Sequence, residues 1–294
     1  LLSGCGKPAP TSVYVDPALA ALLPNDTTTL VGIRVKDLRE SPLFPRLERS
    51  GILTPLEDFV NRTGFDPSKD LLEILLASDG KESLVMARGK FAETGQEPKI
   101  AVPGQLRFAY RGFPFFGTEE TAVMFANASS AVAGKTESLR RIIDNRDKPG
   151  AGPPVALLEQ ARTVPWGNEI WLVSQGVPQF ATQTVPSAGN IRNLRRLGQS
   201  LERVAGGLDM STGLTLDMVG ESPDESSARQ VAGAVKVLVG LMKMQAGAGE
   251  GNGSVWDAFR VEVEGNRTRV TAAWDLEQAN RLLDAILGAG AAPE

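Results

Sequence analysis

The sequence predicts an α+β fold of two topologically similar halves, with mostly antiparallel sheets and helices packed on one face. Three observations predict it. Segments rich in β-branched residues, such as Thr27 to Val35 (TTTLVGIRV), alternate irregularly with amphipathic helical runs, and hairpin patterns are frequent. The order of elements repeats on either side of Lys148-Pro-Gly-Ala-Gly-Pro-Pro154, a Gly/Pro punctuation near the midpoint. Each half also closes with a hairpin followed by a helix, Thr121 to Ile143 in the first and Phe259 to Ile286 in the second. The expected organisation is therefore residues 1–12 as a tether, 13–147 as the first half, 148–154 as linker, 155–290 as the second half and 291–294 as tail.

In the first half, Asp16-Pro17 opens a short helix that Pro24 stops, because proline fits a first helical turn and cannot continue one. Thr27 to Val35 reads as a strand. Lys36 to Leu47 and Leu53 to Arg62 read as helices, broken at Pro42, Pro45 and Gly51. Asp66-Pro67 is expected to begin another helix carrying Leu71, Leu72, Leu75 and Leu76. Ser83 to Phe91 and Gln105 to Phe116 read as strands, Thr121 to Gly134 as a hairpin, and Thr136 as the cap of a helix with Leu139, Ile142 and Ile143.

The second half answers in the same order. Glu169 to Gln175 is a strand, and Ile191 to Ala205 is expected as an amphipathic helix with Ile191, Leu194, Leu197, Leu201 and Val204 on one stripe. Gly206-Gly207-Leu208-Asp209 parallels Gly64-Phe65-Asp66, and Thr212 to Val219 answers Ser83 to Phe91. Ser226 to Met244 is the longest helix, with Val231, Val235, Leu238 and Met242 as its core stripe. Its Gly233 and Gly240 leave room for a closely packed neighbour. Phe259 to Trp274 is a hairpin turning at Gly265-Asn266.

Composition narrows the chemistry. With 294 residues, 42% hydrophobic and 22% charged, the chain is an ordinary globular one, and its net charge of −4 argues against a nucleic-acid partner. There is no histidine, and Cys5 is the one cysteine, so Ser-His-Asp and Cys-His catalysis cannot be assembled within the chain. No cofactor and no metal are expected.

Leu2-Ser3-Gly4-Cys5 resembles the lipobox of exported bacterial lipoproteins. In that family the cysteine thiol accepts a diacylglyceryl group and cleavage before it leaves a lipidated first residue. The resemblance implies lipidation of Cys5, a membrane partner reached through that lipid, and a place in the cell envelope. Gly6 stands where an aspartate would favour inner-membrane retention, which points to the outer membrane, with the body in the periplasm or at the cell surface. Gly6 to Ser12 has linker composition and spans at most roughly 25 Å. Leu22-Leu23-Pro24-Asn25-Asp26-Thr27, followed by a strand, is also similar to the opening of uncharacterised exported bacterial proteins, a likeness that implies no activity.

Three groups of residues are candidate sites. Phe108, Tyr110, Phe113, Phe115 and Phe116 form the densest aromatic cluster, a candidate groove for an apolar ligand with sheet core as the alternative. Arg192, Arg196 and Arg203 share a face of the expected 191–205 helix, a candidate anionic contact or a solvated ridge. Ser129 to Thr136 approaches a phosphate-binding loop but has serine where the motif needs its first glycine, and the stretch from Asn127 to Gly134 reads well as a hairpin's second strand followed by a capped helix. The expected function is non-enzymatic: binding or envelope assembly by a lipoprotein whose partner is a protein or an apolar ligand. The alternatives are a carrier for an apolar ligand and an envelope enzyme using carboxylates without histidine.

Overall fold

The computed structural model describes residues 11–49, 67–92, 106–146, 148, 153–178, 200–245 and 253–288. Its centre is a single antiparallel sheet of twelve strands. In the first half these are β1 (Thr29–Ile33), β2 (Leu71–Ser78), β3 (Ser83–Gly89), β4 (Leu106–Tyr110), β5 (Phe113–Gly117), β6 (Thr121–Asn127) and β7 (Ser130–Lys135). The second half supplies β8 (Ile170–Gln175), β9 (Arg203–Asp209), β10 (Leu214–Glu221), β11 (Arg260–Glu264) and β12 (Arg267–Trp274).

The strand order is β11-β12-β10-β9-β8-β1-β2-β3-β7-β6-β5-β4. Read outward from the central β1/β8 pair, the two halves match. β1-β2-β3-β7-β6 runs one way and β8-β9-β10-β12-β11 the other. The β4–β5 hairpin is the addition on the first side. It turns through Arg111 (φ 48°) and Gly112 (φ 86°), the left-handed pair that a two-residue hairpin loop requires.

Nine helices accompany the sheet among the described residues: α1 (Pro17–Ala20), α2 (Val35–Glu40), α3 (Phe44–Arg49), α4 (Pro67–Asp70), α5 (Thr136–Asn145), α6 (Val155–Ala161), α7 (Glu225–Gln245), α8 (Gly253–Trp256) and α9 (Leu276–Gly288). None is long and apolar enough to cross a membrane among those residues.

Register explains how the core is distributed. One row of paired residues crosses all twelve strands: Arg260, Thr271, Asp217, Gly207, Trp171, Gly32, Leu75, Met86, Val132, Met124, Phe115 and Phe108. From Trp171 onward that row is apolar, and α1, α5 and α6 bury it with Leu19, Leu139, Ile143 and Leu157. Across β9, β10, β12 and β11 the same face turns polar. The second half buries the opposite face instead, where Leu214, Ala272 and Trp274 pack with Val255 of α8 and with Ala279 and Leu282 of α9. The Trp274 indole nitrogen donates to Val255 O at 2.7 Å and fixes that ring.

Thr11, Ser12 and Val13 are fastened to the turn after α6. Trp166 N donates to Thr11 O at 3.2 Å, and Val13 N to Val164 O at 2.8 Å.

Several sequence expectations are corrected. Leu71, Leu72, Leu75 and Leu76 belong to strand β2, and the helix begun at Pro67 ends at Asp70. Thr136 is the first helical residue of α5. Lys135 occupies the cap position without a capping bond from its side chain, and Thr136 Oγ1 donates to Thr118 O at 2.8 Å. Helix α7 buries Ala228, Val231 and Ala232 against β11 and β12, where Thr268 Oγ1 donates to Ala228 O at 2.8 Å. Further along, Met242 is exposed, and a Cβ on Gly233 or Gly240 would meet nothing within 4 Å. The expected helix at 53–62 lies outside the described residues.

Candidate functional site

The polar part of the sheet face forms the floor of a cleft of about 670 Å³, the size range of small-molecule sites. Helix α6 and the turn after it make one wall, with Ala156, Glu159, Gln160, Thr163, Val164 and Pro165. The floor comes from β9, β10 and β12. Alternation on each strand aims Arg203 and Ala205, then Asp217, Val219 and Glu221, then Arg267 and Arg269 at this one face.

Cross-strand register turns those residues into an ion ladder. Glu221 pairs in register with Arg203 on one side and Arg267 on the other. Arg203 Nη2 lies 2.7 Å from Glu221 Oε2, while Arg267 Nε and Nη2 lie 2.9 and 2.8 Å from Glu221 Oε1. Arg269 grips Asp217 with two nitrogens, at 2.9 and 2.5 Å. The carboxylates are sunk and the guanidiniums stand proud. Side-chain exposure is 18% for Glu221 and 30% for Asp217, against 59%, 62% and 56% for Arg203, Arg267 and Arg269. Exposed carboxylates stand beside them: Glu159 on the wall, and Glu262 and Glu264 of β11 in register with Arg269 and Arg267, so the face is one of balanced charge.

Gln160 sits in the wall of the cleft and is buried. Its Nε2 donates to Val204 O at 2.9 Å and to Ser174 O at 3.3 Å, which orients the amide. Its Oε1 is buried with no partner among the described residues.

A second polar group lies at the end of the central strands. Arg88 is ion-paired with Asp16 and faces its register partner Glu73. Burial pushes the Glu73 carboxyl up from its ordinary 4.5 to about 7. Arg88 pulls against that rise, Asp16 adds to it, and Arg34 opposes it weakly. Arg34 stacks 4.1 Å from the Trp166 ring and donates Nε to Asn168 O at 3.1 Å. Neither Asp16 nor Glu73 lines the cleft.

The residues singled out from sequence fare differently. Phe115 is fully buried on the face covered by α5, whereas Phe116 points to the opposite face and packs edge-on against Phe125. Phe108 stacks on Phe115 at 5.1 Å. The Tyr110 ring meets Phe115 at 6.4 Å, and its hydroxyl donates to the Asp144 carboxylate at 3.0 Å. Phe113 packs at the margin of the same core. The five rings thus divide between two faces and fasten the edge hairpin to α5. Phe108 alone borders a surface depression, with Arg107, Ala109, Gly112 and Pro114.

Arg203 opens strand β9, so the expected helix through Ala205 does not hold at that end. The guanidinium enters the cleft by strand register. Arg192, Arg196 and Cys5 lie outside the described residues. Ser129 to Thr136 is the turn and second strand of a hairpin running into α5, and Lys135 Nζ pairs with Glu82 at 2.8 Å. Asp217, Glu221, Arg267 and Arg269 were missed from sequence. Their signal is the period-two spacing of charge on two strands that pair.

No protein-family model matches the chain, and no curated protein matches it. Among solved structures, the Treponema protein TP0453 has a similar fold. Crystal form I aligns with a TM-score of 0.51 at 12% identity, covering 93% of this chain and 98% of that one. Crystal form III gives 0.50 at 13% identity, covering 92% and 98%. At that identity the likeness is one of fold alone.

Proposed function

We propose that this chain is a membrane-anchored lipoprotein of the bacterial cell envelope that works by binding rather than catalysis, with the cleft beside α6 as its binding surface. The observation that carries the binding reading is the cleft itself. A concave site of ligand size combines a ladder of paired charges on its floor with a wall from α6 that holds an oriented, buried amide. The anchor rests on Leu2-Ser3-Gly4-Cys5, followed by a short linker that joins the body at Thr11. A body tethered so closely works beside the membrane, at the outer membrane on the reading of Gly6. The absence of histidine and of any cysteine beyond Cys5 supports a non-enzymatic role.

The aromatic cluster supports a carrier function less well, because its rings are engaged with one another and with α5. The test of the anchor is intact-mass analysis and fractionation of the precursor expressed in bacteria. Acyl mass on Cys5 with the protein in the membrane fraction is the expected result. An unmodified, uncleaved Cys5 in the cytosol contradicts it.

A further inference from the structure

We propose that Glu73, Arg88 and Asp16 form a proton-operated clasp on the segment 11–23. With Glu73 protonated, Arg88 holds Asp16 and fastens α1 to the sheet. With Glu73 ionised, Arg88 is shared between two carboxylates and the segment loosens. The clasp stands apart from the cleft, which neither carboxyl lines.

Asp16 does two things at once. Its Oδ1 accepts from Ala18 N at 2.8 Å and caps α1, while Oδ2 pairs with Arg88 of β3, the strand that α1 packs against. At 16% and 32% exposure, the Asp16 and Arg88 side chains are partly shielded from water. One carboxylate thus sets the start of the helix and ties it to the sheet.

Glu73 competes for the same guanidinium. It is the register partner of Arg88 on β2, beside the irregularity that separates it from Leu71. Among the described residues, no hydrogen bond or ion pair reaches its half-buried carboxyl. The charged groups that act on it are Arg88, Asp16 and Arg34. Arg34 is engaged elsewhere. It pairs with Asp37, donates Nε to Asn168 O at 3.1 Å and stacks on Trp166. Two carboxyls therefore face one available guanidinium. A neutral Glu73 leaves the charges balanced, and an ionised one adds an uncompensated charge in a partly dry site.

Opening relieves that charge. Moving α1 away gives Glu73 water and frees Arg88 to pair with it, so the open form binds the proton less tightly than the closed one. By linkage, closure is favoured at acid pH and is lost as pH rises through about 7, the value to which burial raises Glu73 in the closed form. The segment itself has few anchors. Val13, Leu19 and Leu23 are buried, while Tyr14 lies stacked on Trp166 and is exposed. A short segment held this way opens at lower cost than the sheet beneath it.

Native-state hydrogen exchange of the full chain from pH 5 to 8.5, corrected for the intrinsic pH dependence of amide exchange, tests the clasp. The opening equilibrium of peptides covering 11–23 should be about tenfold larger or more at pH 8 than at pH 5, in a step insensitive to low denaturant. Peptides from β12 report global unfolding and set the reference. Glu73→Gln should keep 11–23 protected and flatten its pH profile. Asp16→Asn keeps an acceptor for Ala18 N but leaves Arg88 to Glu73, so it should flatten the profile with the segment open throughout. Exchange of 11–23 that follows the β12 peptides at every pH overturns the proposal, as does a pH step that survives Glu73→Gln.

Discussion

Trp171 lies flat across Gly32, its register partner on the neighbouring strand, so closely that a Cβ on Gly32 would stand 2.0 Å from the indole Cε2. This contact closes the β1/β8 seam where the two halves meet. Trp171 is 1% exposed and packs with Leu30, Leu75 and Val173 in the core. One sheet continues through the seam because Gly32 yields its side-chain space to the ring.

Gly32→Ala should therefore destabilise the protein by about 3 kcal/mol, the upper range for overpacking a core. Pairing it with Trp171→Leu should recover part of the loss. Denaturant unfolding of the two single variants and the double variant gives the coupling, and strictly additive effects would contradict the contact.

Glu73 gives a pH signature. Its folded pKa of about 7 lies above the ordinary 4.5, chiefly through burial, so the folded state binds the proton more tightly than the unfolded chain. The associated stability is fully present below pH 4.5 and is lost as pH rises through 7. The gap corresponds to about 3 kcal/mol at most. Glu73→Gln should match wild type near pH 4.5 and exceed it above pH 7.5. Melting temperatures across that range check the crossover.

The ion ladder predicts unequal single and double losses. Arg203→Gln or Arg267→Gln alone should cost no more than about 1 kcal/mol, because the other guanidinium still holds Glu221. Removing both leaves a mostly buried carboxylate unpaired and should cost about 2–3 kcal/mol. Urea unfolding at low and high salt would show the non-additivity, together with its decline as salt screens the pairs.

Tyr110→Phe measures how firmly the aromatic cluster fastens the edge hairpin to α5. Loss of the hydroxyl bond to Asp144 should lower stability by about 1 kcal/mol. Urea unfolding of the variant checks it, and an unchanged midpoint would contradict the bond.

Much of the fold was legible because local signals agreed with global packing. Asp16-Pro17, the Gly265-Asn266 turn and the hairpin-plus-helix endings all stand where their chemistry put them. Strand β2 was not legible. It runs between β1 and β3 with apolar residues on both faces, so its leucines lack clean alternation and mimic a helical stripe after Asp66-Pro67. Strand β9 was hidden for another reason. Gly206 and Gly207 are poor strand residues, yet a Cβ there would come 2.1 Å from Asp217 O or 2.5 Å from Ile170 O. Arg203 was singled out for its charge and placed on the wrong element. Its partners Glu221 and Arg267 become neighbours only through the register of three strands distant in sequence.

Intact-mass analysis and fractionation of the precursor expressed in bacteria test the central claim, that this is a lipid-anchored protein of the cell envelope. The account predicts acyl mass on Cys5 with the protein in the membrane fraction. An unmodified, uncleaved Cys5 in the cytosol would contradict it.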